Sequence, residues 1–138
     1  MSAPAKKNAR PTPPFVTRCL TLLLPLGPVI PRRMFGGWGF FLDGVMIALV
    51  ARERLYFKTD EQTEPRFAAA GAEPFVYRRQ GAPVALSYWS APADSLEDPP
   101  ALQAWAELAA AAARRAAAGK AARRARKKTA PHKRGAAG

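Results

Sequence analysis

Apolar residues follow two different periods along this chain, and the switches between them mark its elements. Phe15, Val16, Cys19, Leu20, Leu22 and Leu23 recur at helical spacing. Thr12-Pro13-Pro14 supplies a start, with Thr12 as a capping residue and proline at the first helical position, where no N–H is needed. Pro25 and Gly27-Pro28 close the helix near Leu24. Residues 29–35 then read as a strand, followed by a glycine-rich joint, Gly36-Gly37-Trp38-Gly39. Residues 40–42 and 45–50 flank Asp43-Gly44, a strong hairpin signal because both turn positions need positive φ. Arg52-Glu53-Arg54 makes the next reversal, into residues 55–58. The two-residue period of a strand puts Val45, Ile47 and Leu49 on one face.

Residues 60–70 predict a short helix with acids in its first turn, Gly71 just past its end and Phe67 as its core residue. Residues 74–79 and 82–89 form a second hairpin across Gln80-Gly81. Asp98-Pro99-Pro100 starts the last helix, with Asp98 as cap. Leu102, Trp105, Leu108, Ala109 and Ala112 line one face of it. Alanine carries this helix to about Ala118, where Gly119 ends it. The order helix, meander, helix, hairpin, helix predicts an α+β domain with an antiparallel sheet, over residues 15–118. Residues 1–14 read as a disordered basic arm and residues 119–138 as a disordered basic Ala/Arg/Lys tail.

Charge sharpens this division. The formal net charge is +12, unevenly spread. Residues 1–33 hold six bases and no acid, residues 34–113 six bases and all ten acids, and residues 114–138 ten bases and no acid. A mildly acidic body with basic ends points to an anionic partner, most often nucleic acid. The cations of the tail are Arg114, Arg115, Lys120, Arg123, Arg124, Arg126, Lys127, Lys128, Lys133 and Arg134. The plain alternative is a tail that keeps the protein soluble.

The residues bearing reactive chemistry are few. One Cys excludes an internal disulfide framework and a four-Cys zinc site. The single His, His132, lies in the basic tail, so neither a His-ligated metal nor a Ser-His or Cys-His pair is expected. No Gly-x-Ser-x-Gly elbow occurs, and Gly36-Gly37-Trp38-Gly39 leads into an apolar strand instead of the helix a phosphate loop needs. Cys19, among leucines, reads as a small core residue. A non-enzymatic protein with no cofactor is expected. No apolar run reaches the ~18 residues that span a bilayer, and no small-x-small cleavage site follows Leu26, so a cytoplasmic location is expected.

Arg32 and Arg33 stand apart. Neighbours on a strand face opposite ways, so one of them turns toward the inner face or an edge, where an arginine wants a carboxylate or carbonyl partner. An ion pair within the domain is the structural expectation, and a partner-facing patch the functional one.

These residues also carry a resemblance. Leu26-Gly27-Pro28-Val29, Arg33-Met34-Phe35-Gly36-Gly37-Trp38-Gly39 and Leu42-Asp43-Gly44-Val45-Met46 resemble the N-terminal domain of the TfoX/Sxy family. The likeness continues through Leu55-Tyr56-Phe57-Lys58-Thr59-Asp60, Pro65-Arg66-Phe67, Pro74-Phe75-Val76-Tyr77, Pro83-Val84-Ala85-Leu86-Ser87-Tyr88 and Leu96-Glu97-Asp98-Pro99. The resemblance implies a bacterial, non-enzymatic regulator of competence for DNA uptake. It implies a transcription-factor partner, the cyclic-AMP receptor protein or RNA polymerase. The family segment Arg32, Arg33, Met34, Phe35, Gly36, Gly37 and Gly39 is then a candidate partner contact. Full regulators carry a second, helical domain; here the basic tail stands in its place, so the chain reads as a stand-alone N-terminal domain. The functional expectation is a TfoX-like co-regulator whose tail binds DNA without sequence preference. The alternative is a protein–protein adaptor, and a dimer through an exposed sheet edge is compatible with either.

Overall fold

Pro14 fixes the backbone at the first turn of α1 (Pro14–Leu23), as the sequence predicts. The computed structural model describes residues 12–34 and 36–129. The helix begins one residue too late for Thr12 to cap it: Pro13 occupies the capping position, with no side-chain bond, and its carbonyl accepts from Thr17 N–H at 3.1 Å. Val16, Cys19 and Leu23 form the buried face of α1. Residues 24–26 tighten into a single 3-10 turn before the sheet.

Among the described residues the sheet has six strands in the order β1-β2-β3-β4-β6-β5, every neighbouring pair antiparallel. They are β1 (Ile30–Met34), β2 (Gly37–Leu42), β3 (Val45–Ala51), β4 (Arg54–Lys58), β5 (Pro74–Arg79) and β6 (Ala82–Ser90). The first four form the expected meander. Helix α2 (Glu64–Ala69) then carries the chain past β6, leaving β5 at the edge. Asp43 and Gly44 take φ of 54° and 84°, and Gln80 and Gly81 take 54° and 83°, as two-residue hairpin turns require.

Two details of the strands differ from expectation. The glycine-rich joint is mostly strand: only Gly36 lies in the turn, and β2 begins at Gly37. A Cβ at Gly37 would sit 2.4 Å from the Val50 carbonyl oxygen, so glycine here lets β2 lie against β3. The second difference is a bulge. Phe40 pairs with Ala48 and Phe41 with Met46, so Ile47 is the extra residue on β3. The bulge breaks the alternation: Ile47, Ala48 and Val50 are buried, while Leu49 and Val45 are half-buried. Val45, Ile47 and Leu49 therefore do not share a face.

Helices α1 and α3 (Pro99–Thr129) cover one face of the sheet. Register rows sort the two faces. Phe40, Ala48 and Phe57 lie opposite one another and are buried in the core. Arg32, Gly39, Leu49 and Tyr56 form a row on the other, partly exposed face. Phe67 anchors α2 as predicted, buried with its ring 4.6 Å from that of Trp105.

Asp98 starts α3 as expected, its carboxylate accepting from Ala101 N–H at 3.4 Å. The buried face of α3 is Leu102, Ala106, Ala109, Ala110, Ala112 and Ala113, with Trp105 and Leu108 half-buried. The helix does not end at Gly119. It runs on to Thr129, so residues 119–129 of the expected tail are helical. Gly119 keeps a helical backbone because strong helix formers, alanine, arginine and lysine, flank it on both sides and outweigh its cost of about 1 kcal/mol. Residues 1–11 and 130–138, also assigned to the arms, lie outside the described residues, as does Phe35.

Two glycine substitutions have opposite expected effects. Gly37→Ala forces β2 from β3 and destabilises the domain by about 1–3 kcal/mol, read by chemical denaturation. Gly119→Ala adds a Cβ that meets nothing closer than Arg123 Nη1 at 3.6 Å. It slows amide exchange across residues 120–126 by roughly two- to fivefold; unchanged exchange there would show that the helix stops before them.

Candidate nucleic-acid interface

The second half of α3 concentrates the positive charge. From Arg114 to Lys128 the helix holds eight bases and no acid, over about 21 Å of axis at 1.5 Å per residue. Arg114, Lys120, Arg123, Arg124 and Arg126 are exposed. Lys120, Arg123 and Arg124 are three and four residues apart, so they share a side of the helix. Positive side chains in the C-terminal half also complement the helix dipole. Seven of the ten predicted tail cations, with Arg115 set apart, thus fall on one continuous helix. Lys133 and Arg134 lie outside the described residues.

Arg115 has a different job. Its Nε donates to Asp60 Oδ2 at 2.6 Å and its Nη2 to Asp60 Oδ1 at 3.1 Å. This two-pronged contact ties α3 to the loop after β4, near where the helix leaves the core. Asp60 is itself held in place: its Oδ1 also accepts from the N–H groups of Gln62 and Thr63, at 3.0 and 3.2 Å. The Arg115 hydrogen bonds, opposed by partial burial and helped by charge and those two N–H groups, hold the Asp60 carboxyl below the usual carboxylate range. The sequence marks Asp60 only as a first-turn acid, because its partner is 55 residues away.

The end of β4 meets α3 in a cleft of about 400 Å³. Lys58, Tyr88, Lys120 and Arg124 line it, beside Gly44, the first residues of β3 and the small side chains of Ala113, Ala116 and Ala117. Lys58 and Tyr88 lie opposite each other on β4 and β6, with the Lys58 Nζ 5.3 Å from the Tyr88 ring centroid. The Tyr88 hydroxyl donates to the Met46 carbonyl at 3.4 Å. Burial pushes that hydroxyl up to about 12. The sequence does not single out Lys58 or Tyr88 as site residues: one closes the strand over residues 55–58 and the other falls in the second hairpin.

Arg32 and Arg33 are both exposed on the edge strand β1. Among the described residues neither makes an ion pair. Arg32 instead lies over the Phe41 ring at 5.0 Å, and Arg33 over the Trp38 ring at 5.9 Å. The expected carboxylate partner is replaced by ring faces, because cross-strand neighbours bring aromatic side chains, not acids, beside each guanidinium. Among the described residues of the rest of the segment, Met34 closes over Gly39 together with Met46, and Gly36 and Gly37 shape the turn and the strand contact. Cys19 is buried on α1, and burial, offset in part by the Arg18 charge, pushes its thiol up to about 12. It is a core residue, not a thiolate nucleophile at neutral pH.

Over residues 21–113 the chain matches the TfoX N-terminal domain, which is more than half of its length. It belongs to the TfoX N-terminal domain family. No curated protein matches the chain. The matched TfoX segment runs from the middle of α1 to the buried alanines of α3, and it takes in the whole sheet. It stops at Ala113, immediately before the basic run begins at Arg114. The cleft therefore joins residues of the TfoX domain, Lys58 and Tyr88, to Lys120 and Arg124 beyond it. Among the described residues no helix is long and apolar enough to cross a membrane.

The Asp60–Arg115 pair makes a pH prediction. A carboxyl whose folded pKa is depressed adds stability above its unfolded value, near 4, and that stability is lost as pH falls through the folded value. Asp60→Asn therefore lowers the thermal midpoint at pH 7, and the gap to the unmodified protein narrows as pH drops below about 4. A gap that stays constant down to pH 2 would remove the charge pair from the account.

Proposed function

We propose that this TfoX-family protein is a non-enzymatic, DNA-associated regulator whose helix α3 supplies phosphate contacts. The observation that carries the reading is the acid-free basic half of α3, a helix continuous with the folded domain. Lysine and arginine that neutralise phosphates release condensed counterions, which makes affinity strongly dependent on salt. Such contacts position a protein on the duplex without reading its sequence. Promoter preference then belongs to a protein partner bound by the domain, a transcription factor or RNA polymerase. The exposed edge strand β1, with Arg32 and Arg33 over their ring faces, is the surface offered to it. The same setting, intracellular contact with DNA, makes the protein cytoplasmic.

Binding of the full chain to a duplex across a salt series tests this. With about five phosphates neutralised, the logarithm of affinity falls against the logarithm of salt with a slope of about −4 to −5, equally for promoter and scrambled duplexes. Replacing Arg123, Lys127 and Lys128 together by glutamine flattens the slope by about 2–3. Absence of binding near 150 mM salt would overturn the DNA reading and leave the domain as a protein–protein adaptor with a solubilising extension.

A further inference from the structure

The cleft between the end of β4 and helix α3 holds more positive charge than its surroundings balance. Among the described residues three cations, Lys58, Lys120 and Arg124, line it, and no carboxylate does. They arrive from separate parts of the chain: Lys58 from the sheet, the other two from successive turns of α3. Among the described residues none of the three makes an ion pair. The two acids that act on Lys58 are otherwise engaged. Asp60 is gripped at both oxygens by Arg115, and Glu64 accepts a hydrogen bond from the Thr59 hydroxyl at 3.4 Å.

Folding brings these like charges together at a cost. Lys58 is half-buried, and burial, then the Lys120 charge, push its ammonium below the ordinary lysine range against the opposing pull of Asp60 and Glu64. The Tyr88 ring offers a neutral face to the ammonium, not a charge. Ala113, Ala116 and Ala117 form the wall below the two α3 cations, and their small side chains leave the cleft open. A concave site with one sign of charge and partly apolar walls concentrates anions. Ammonium groups supply freely rotating donors and the guanidinium a planar fork, a combination suited to the several oxygens of one tetrahedral anion.

We propose that this cleft is a phosphate-binding site in which Lys58, Lys120 and Arg124 hold a single phosphate group. The inference deepens the DNA reading and rests on it for the source of that phosphate, a backbone phosphodiester of the duplex. A bound duplex would thereby touch the TfoX domain itself, and α3 would be held against the nucleic acid at its base as well as along its exposed length. The chemistry is equally that of free inorganic phosphate, and the two sources separate by experiment.

The test uses the full chain, with duplex binding across a salt series and amide spectra during a titration with inorganic phosphate. Lys58→Gln removes the charge and keeps a chain of similar length beside Tyr88; its amide spectrum reports an intact fold. Lys120→Gln, on the exposed side of α3, is a second variant free of any core change. Arg52→Gln, in the turn at the opposite end of β4, is the control for lost charge alone. Each cleft variant is expected to flatten the salt slope by about one, for every duplex sequence, while the control leaves it unchanged. That result supports the site with a nucleic-acid phosphate. If the unmodified protein binds no duplex, yet inorganic phosphate shifts the amides of Gly44, Val45 and Lys58 in it and not in Lys58→Gln, the site stands with free phosphate and the DNA reading falls. If Lys58→Gln and Lys120→Gln both match the control and phosphate moves none of those amides, the cleft inference is overturned. Loss of slope on replacing Arg123, Lys127 and Lys128 would in that case leave the DNA reading intact.

Discussion

The alanine face of α3 against β3 and β4 is the contact on which the rest of this protein depends. Ala106, Ala109, Ala110 and Ala113 are buried there, and their methyl groups let a helix axis lie close to a sheet without displacing the aromatic residues beneath. Larger residues at the start of the same helix, Leu102 and Trp105, fill the wider space near Phe67 and Phe57. The alanine, arginine and lysine that dominate this helix are strong helix formers, so a helix nucleated on the sheet propagates beyond it. The same composition that makes the core contact therefore carries the helix beyond it, through Gly119 to Thr129.

This continuity gives the charge its direction. A flexible tail with the same cations would present them as a diffuse cloud, whereas a helix fixes them relative to the domain. The Arg115–Asp60 pair strengthens that relation at the point where burial by alanine gives way to exposed cations. Its two parallel hydrogen bonds restrain rotation of α3 about its own axis as well as tilt. Lys120 and Arg124 then face Lys58 and Tyr88, and the cleft follows from that orientation. The β1 edge shows a different use of charge. Pro31 removes a donor from the edge strand, and Arg32 and Arg33 stand over Phe41 and Trp38, which discourages indiscriminate strand addition while leaving apolar surface beside cations.

Much of the fold was legible in the sequence because local chemistry decides it. Asp43-Gly44 and Gln80-Gly81 define their hairpins through backbone conformation alone, and Pro14, Asp98 and Pro99 define helix starts. The α+β class and the place of Phe67 followed from the same signals. The bulge at Ile47 did not, since an extra residue in a ladder is visible only when its partner strand is known. Gly119 was misleading for a related reason. A glycine ends a helix when the chain turns there, and nothing after Gly119 favours a turn over another residue of helix.

The candidate interface divides in the same way. The basic run from Arg114 onward is a property of composition, and the sequence by itself determined that this protein carries an acid-free cationic segment next to a mildly acidic TfoX domain. Only the tertiary structure decided which of those cations act together. It withdrew Arg115 into a pair with Asp60, gave Arg32 and Arg33 aromatic neighbours where acids were expected, and brought Lys58 and Tyr88 to Lys120 and Arg124. Net charge is a sum over residues and needs no coordinates, but an electrostatic site depends on distance and burial, and those are set by how α3 lies across the sheet.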